Sequence, residues 1–244
     1  MLVAAFIPAR YGSTRFPGKP LATIAGKPML QWVVERATAA DNLDMVYVAT
    51  DDKRIASAVT DFGGQAIMTS TRHRTGTDRI AEAVQDIEAD LILNIQGDEP
   101  LIPPQVIDRL VVAMTNSESD MATVAVPFDK TANDPEDPNA VKVVTDIDGY
   151  ALYFSRSLVP FPRQGGKPVK PLLHWGLYAY RRSFLESFIK WPPGRLEQCE
   201  MLEQLRALEN GAKIKVILAD SPAQGVDVPE DIEKVERLIR QKQT

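Results

Sequence analysis

The 244-residue chain holds one cysteine and two histidines. A single thiol, Cys199, closes no intramolecular disulfide, and nothing in the sequence points to an oxidising compartment. So few sulfur and imidazole ligands nearly exclude a zinc site and leave a hard metal on carboxylates as the open alternative. Positive charge is in the minority, with 28 Lys and Arg against 33 Asp and Glu and a formal net charge of −5. That balance argues against wholesale nucleic-acid binding and limits any polyanion to a small one, met by a local cationic patch. Long apolar runs are missing too. The opening LVAAFIP is too short for a signal-peptide core and ends in a proline and an arginine. No stretch approaches the roughly 20 residues of a membrane-spanning helix. These absences describe a cytoplasmic protein.

What is present is an alternation. In the first half, short apolar strand-like runs (LVAAFI, MVYVAT, QAIMT, LILNI) are separated by segments of helical periodicity (PMLQWVVERATAA, DKRIASAVTDFGG, GTDRIAEAVQDI). Pro28 suits a first helical turn, and Thr77 or Asp78 suits the cap of the third segment. Continuous apolar strands between helices read as an α/β fold, a mostly parallel sheet covered by helices on both faces. The second half differs. MATVAVPF, VKVVTD, YALYFSR and HWGLYAYRR follow one another with little helix between them, the mark of a mixed or antiparallel region. RLEQCEMLEQLRALENG then reads as one helix with a glycine stop, KIKVILA as a strand, and PEDIEKVERLIRQK as a terminal helix opened by Pro229. On that helix Met201, Leu202, Leu205 and Leu208 recur at core spacing, and Cys199 reads as a small packing residue. One domain, 1–244, with an inserted lobe at about 127–180 is the economical organisation.

In open parallel sheets, ligands bind beyond the carboxyl ends of the strands, where the polar motifs of this chain fall. IPARYGSTRFPGKPL follows the first strand. Its glycines let backbone N–H groups approach phosphate, and Arg10, Arg15 and Lys19 add cations. Arginine can fork onto phosphate oxygens, while lysine supplies a point charge. The bland alternative is a solvated basic turn. No GK followed by Ser or Thr is present, nor a spaced dinucleotide fingerprint, so P-loop kinase and nicotinamide dehydrogenase readings lose ground. QGDEP ends the fourth strand with Asp98, and GVDVPEDIEKV supplies Asp227, which could equally be a helix N-cap. Two carboxylates and a triphosphate would suit Mg²⁺.

Taken together, IPARYGSTRFPGKPL, VYVATDD, GTDRIAEA, NIQGDEPLI, YALYFSRS, HWGLYAY, LEQCEMLEQLRALENG and GVDVPEDIEKV, in order along nearly the whole chain, resemble the 3-deoxy-manno-octulosonate (Kdo) cytidylyltransferases. The resemblance implies a nucleotide-diphospho-sugar transferase fold whose inserted lobe serves sugar binding and dimerisation, a homodimer, and a Mg²⁺-dependent reaction. In that reaction CTP and Kdo give CMP-Kdo and pyrophosphate for lipopolysaccharide biosynthesis. It implies that Arg10, Ser13, Arg15 and Lys19 line the CTP phosphates. Thr75, Gly76 and Thr77 become base contacts, with Thr75 keeping the hydroxyl of the family's more usual Ser. Asp98 and Asp227 match the metal-binding aspartates, so that Arg10, Lys19, Asp98 and Asp227 form the catalytic set. Gln96, Arg156, His174, Tyr178, Glu203 and Gln204 match positions that hold the sugar acid.

Arg156 suits a sugar carboxylate but could be a rim salt bridge, His174 in its apolar strand could be a satisfied core residue, and Tyr178 could be simple packing. Glu203 and Gln204 sit where a solvated helix face is the ordinary reading, and His73 reads as a surface residue. The segment Arg163 to Leu173 is shorter than in many members, which keeps an 8-amino variant of Kdo as an alternative acceptor. A non-catalytic nucleotide sensor is the rival from another class, and retention of Lys19, Asp98 and Asp227 together argues against it.

Overall fold

A computed structural model describes residues 1–12, 16–131, 133–161, 163–167, 169–220 and 224–242. From the N-terminus run β1 (Val3–Ala9), a 3-10 turn (Lys19–Leu21), the two-residue strands β2 (Thr23–Ile24) and β3 (Lys27–Pro28), α1 (Met29–Thr38), β4 (Met45–Thr50), α2 (Lys53–Asp61), β5 (Ala66–Met68), α3 (Gly76–Ala83), β6 (Leu91–Asn94) and α4 (Pro104–Thr115). There follow β7 (Met121–Pro127), a second 3-10 turn (Phe128–Lys130), β8 (Lys142–Thr145), β9 (Ala151–Ser155), β10 (Leu172–Arg181), α5 (Arg182–Phe188), α6 (Arg195–Glu200), α7 (Gln204–Glu209), β11 (Ile214–Leu218) and α8 (Asp231–Lys242). The helix α4 and the β2–β3 hairpin carry no part in the sequence reading above. The chain forms two compact units, one of Met1–Asp108 with Ala223–Thr244 and one of Arg109–Pro222; the stretch 127–180 falls inside the second.

In the first unit β1 pairs in parallel with β4 and β6, and β4 with β5. Ala4, Ala5, Phe6 and Ile7 have no exposed surface, nor do Ile92 and Leu93. A strand covered on both faces needs apolar residues at successive positions rather than alternate ones, which is why LVAAFI and the LIL of β6 are unbroken runs. The helix α3 is capped by Thr75, one residue before its first turn, and not by Thr77 or Asp78. Thr75 is extended (φ −118°) and its Oγ1 accepts from the Asp78 N–H at 3.0 Å. Thr77 lies inside the turn, 3% exposed. The terminal helix starts at Asp231, two residues beyond Pro229, and packs Val235 and Ile239 onto Ile24, Met29, Leu101 and Val226.

In the second unit β7 lies between β11, parallel, and β10, antiparallel; β8 pairs antiparallel with β10 and with β9. The β10–β7 register shifts between Trp175 and Tyr178, and the Thr123 hydroxyl fills the irregularity, donating toward the Leu177 carbonyl at 2.9 Å. The segment expected as one helix over 195–209 is two. Met201 is left-handed (φ 53°, ψ 47°) and 76% exposed, so it is no core residue, while Leu202 and Leu205 are buried as their spacing demands. The cause is tertiary. Arg156 Nε and Nη2 take the carbonyls of Glu200 and Met201 at 2.6 and 3.4 Å, and a continuous helix would need both for its next turn. Cys199 is exposed rather than packed. Among the described residues no helix is long and apolar enough to cross a membrane.

Candidate active site

Within the first unit a cavity of about 290 Å³ opens where β1 and β6 end, lined by Pro8, Ala9, Arg10, Lys19, Thr75, Gly76, Gln96, Gly97, Asp98 and Asp227 among others. Backbone packing brings these segments together. A Cβ on Gly97 would sit 3.2 Å from the Pro8 carbonyl and one on Gly76 3.1 Å from the Pro8 ring, so both glycines permit the approach of their loops to β1. Gly18 (φ +72°) closes the loop after β1 by donating its N–H to the Tyr11 carbonyl at 2.9 Å, and the Lys19–Leu21 turn follows. That turn aims Lys19 inward.

Lys19 Nζ donates to Asp98 Oδ2 at 2.6 Å and to the Val226 carbonyl at 2.9 Å, and stands 3.9 Å from Asp227 Oδ1. The Val226 N–H in turn donates to the Asp98 carbonyl at 3.0 Å, stitching the QGDEP turn to the segment before α8. Asp227 is not the helix cap. Asp231 reaches back instead, its Oδ2 accepting from the N–H groups of Asp227 and Val228 at 3.0 and 3.2 Å, and these bonds with the Lys234 ion pair hold its carboxyl below the usual range, the Lys234 contact leading. The Asp227 carboxylate is thereby left facing the cavity, with a side chain 66% exposed.

Two carboxylates that share one ammonium can share one hard cation. Among the described residues no group of three or more His, Cys, Asp and Glu could hold a metal. A pair supplemented by phosphate oxygens is the donor set that Mg²⁺ takes with nucleotides, so the residues fit that ion.

Of the residues singled out from sequence, Arg10, Lys19, Thr75, Gly76, Gln96, Asp98 and Asp227 meet in this cavity. Gln96, assigned to the sugar acid by resemblance, thus stands beside the nucleotide group and donates to Asn94 Oδ1 at 3.2 Å. Thr77 is buried beneath the helix turn and does not line the cavity. Ser13 and Arg15 lie outside the described residues. His73, Arg74 and Arg79 line the cavity although sequence reading left His73 on the surface and passed over the two arginines. The available signal was that His73 and Arg74 directly precede Thr75 and Gly76 while Arg79 follows in the first turn of α3.

Arg156, His174, Tyr178, Glu203 and Gln204 belong to the second unit. His174 packs edge-on against Phe154 with ring centroids 4.9 Å apart, shares a hydrogen bond of 3.0 Å with Thr123 and lies 5.5 Å from the Tyr178 ring. Burial drives its pKa down to about 3, and drives the Tyr178 hydroxyl well up, so both rings are neutral at pH 7. Arg156 also gives Nη1 to the Pro138 carbonyl at 2.9 Å, so of its five N–H donors two hold carbonyls at the α6–α7 break and one the chain before β8, and two are not used among the described residues. Glu203 and Gln204 follow that break. Glu203 stands 3.9 Å from Arg206, and the Gln204 Nε2 is buried with no hydrogen-bond partner among the described residues.

Two cations that follow the first strand, Arg10 and Lys19, beside two carboxylates from separate loops, are suited to a polyphosphate and a hard metal, and known proteins agree. The cytidylyltransferase family model matches residues 4–214. A 3-deoxy-manno-octulosonate cytidylyltransferase of Aliivibrio fischeri is 51% identical over 249 residues, covering 98% of this chain and 99% of its own. The Geobacter sulfurreducens protein of that name is 51% identical over 245 residues, covering 96% and 98%. A solved CMP:2-keto-3-deoxy-manno-octonic acid synthetase complexed with CTP superposes with a TM-score of 0.95 at 44% identity, covering 99% of this chain and all of that one. With its sheet, its paired aspartates and its cationic first loop all accounted for over nearly the full length, the chain belongs to the 3-deoxy-manno-octulosonate cytidylyltransferase family.

Proposed function

We propose that this chain transfers CMP from CTP to Kdo, giving CMP-Kdo and pyrophosphate, in the cytoplasm and toward lipopolysaccharide assembly. The observation that carries the reading is the placement of Arg10, Lys19, Asp98 and Asp227 around one cavity beside the Thr75–Gly76 turn. Transfer of this kind asks a protein for positioning and charge stabilisation, not a covalent intermediate. Arg10 and Lys19 neutralise charge that builds on the α-phosphate and on departing pyrophosphate as the sugar hydroxyl attacks in line. Asp98 and Asp227 would hold Mg²⁺, which when bound lowers the pKa of the attacking hydroxyl. Thr75 and Gly76 face the base. For the sugar acid the resemblance names Gln96 in the first unit and Arg156, His174, Tyr178, Glu203 and Gln204 in the second; of these, Arg156 is suited to a carboxylate and Gln204 to a hydroxyl. A homodimer accompanies this reading through the family resemblance.

Pyrophosphate release from CTP and Mg²⁺ tests it, with Kdo, its 8-amino analogue and sialic acid run side by side. Release with Kdo in preference to the others is expected. Release only with the 8-amino sugar would move the acceptor assignment to that compound. Folded protein that binds CTP yet releases nothing with any acceptor would be the nucleotide sensor instead.

A further inference from the structure

The loop between β5 and α3 carries Arg74, Thr75 and Gly76 into the cavity, and α3 grips that loop through two charged residues one turn apart. Arg79, 4% exposed, donates Nη1 to Thr69 Oγ1 at 2.6 Å and Nη2 to Asp51 Oδ2 at 2.8 Å, fixing the root of the loop at the strand end. Glu82, three residues on and so on the same helix face, takes the rest. Its Oε2 accepts from the Ser70 N–H at 3.0 Å and meets His73 Nε2 in a short contact, and the His73 bond leads in holding the Glu82 carboxyl below its usual range. Ser70 Oγ then accepts from the Arg72 N–H at 3.2 Å. A single carboxylate therefore anchors the loop at Ser70 and His73, the latter immediately before the turn that lines the cavity. A solvated helix face would not place its glutamate against a backbone amide and an imidazole at once.

We infer that Glu82, acting through His73, is a positioning residue that sets where the Arg74–Gly76 turn stands against the nucleobase, and so helps decide how tightly CTP is held and how well it is told from UTP. This rests on the cytidylyltransferase reading, in which that turn faces the base. Neither residue touches the reacting atoms. Lys19, Asp98 and Asp227 lie on other loops, so the effect falls on nucleotide binding and leaves the chemical step alone. Losing the anchor converts a fixed turn into one that must be ordered each time the base arrives, and that ordering is taken from binding free energy.

The test is calorimetric binding of CTP and UTP to wild type, Glu82→Gln, His73→Gln and the double variant, with steady-state kinetics on the same proteins. Glutamine at 82 still accepts from the Ser70 N–H but gives up the charge on His73, so the fold is retained and melting temperatures check this. Each single variant should bind CTP about fivefold to tenfold more weakly and lose much of the preference over UTP, and Glu82→Gln, which stands outside the cavity lining, should keep kcat within about twofold. The double variant should be no worse than either single, since two residues that act as one unit do not add. Unchanged CTP affinity and base preference in Glu82→Gln would overturn the inference while leaving the cytidylyltransferase reading intact. Additive losses in the double variant would overturn the pairing. Wild type that fails to bind CTP would overturn the reading itself and the inference with it.

Discussion

His174 offers the sharpest quantitative test of the second unit. Its ring is wedged between Phe154 and Tyr178 and shares a hydrogen bond with Thr123, and burial lowers its pKa from 6.5 to about 3. The folded value lies below the unfolded one, so below pH 6.5 the unfolded chain takes up a proton that the folded chain refuses. Stability is therefore full above about pH 6.5 and declines as the pH falls toward 3. Integrating between those values gives a loss of about 2 kcal/mol by pH 5, at about 1.36 kcal/mol per unit once titration is under way. His174 taken as a whole residue is only half-buried, and discounting for solvent brings the expected loss to about 1–2 kcal/mol.

Urea unfolding at pH 7 and pH 5 reads it, comparing wild type with His174→Gln; every other titrating group cancels in the difference. Wild type should lose more stability than the variant over that interval by the stated amount. With only two histidines in the chain, an imidazole NMR titration assigns itself once His73→Gln is run. A His174 resonance that moves with a midpoint near 6.5, or equal pH slopes for the two proteins, would refute the packing account of this residue.

Asp98→Asn should lower turnover by two orders of magnitude or more with an unchanged circular dichroism spectrum, because the Lys19 contact tolerates an amide while a hard cation does not; near-normal Mg²⁺-supported turnover would remove Asp98 from the metal pair. Arg206→Met should cost about 3–5 kcal/mol in urea unfolding, since it strands Glu197 against Arg206's vacated site, and adding Glu197→Gln should recover part of that loss.

The first unit was legible because its central strands obey a rule visible in one dimension: β1 and β6, covered on both faces, are apolar at successive positions, and the four runs read as strands there are its four parallel strands. The polar loops were legible for a related reason, since parallel strands put their loops at one end. The break at Met201 was not. Every residue from Arg195 to Glu209 except Cys199 is a good helix former, and what divides the segment comes from Arg156 and from the Glu197–Arg206 pair. Nine residues apart on a straight helix, those two charges would face opposite ways and stand roughly 13 Å apart along the axis; they meet only because the helix folds back. His73 escaped notice similarly, since its partner Glu82 lies on the next element and the contact has no sequence period. Arg156 was read by its charge, whereas its carbonyl partners from 138, 200 and 201 are fixed by the tertiary fold.

The first unit is interrupted in the chain: its core residues Ile24, Met29 and Leu101 close over Val226, Val235 and Ile239, which are made after the whole of the second unit. A ribosome that has delivered residues 1–222 has therefore supplied all of the second unit's core but has left the first with an open apolar face and with Asp98 lacking Asp227. Folding units form as their contacts become available during synthesis. The second carboxylate and the last core residues of the first unit thus arrive together at the end of synthesis. A product stopped before Val226 has neither a sealed first-unit core nor Asp227 beside Asp98, so completion of that core and completion of the carboxylate pair are one event.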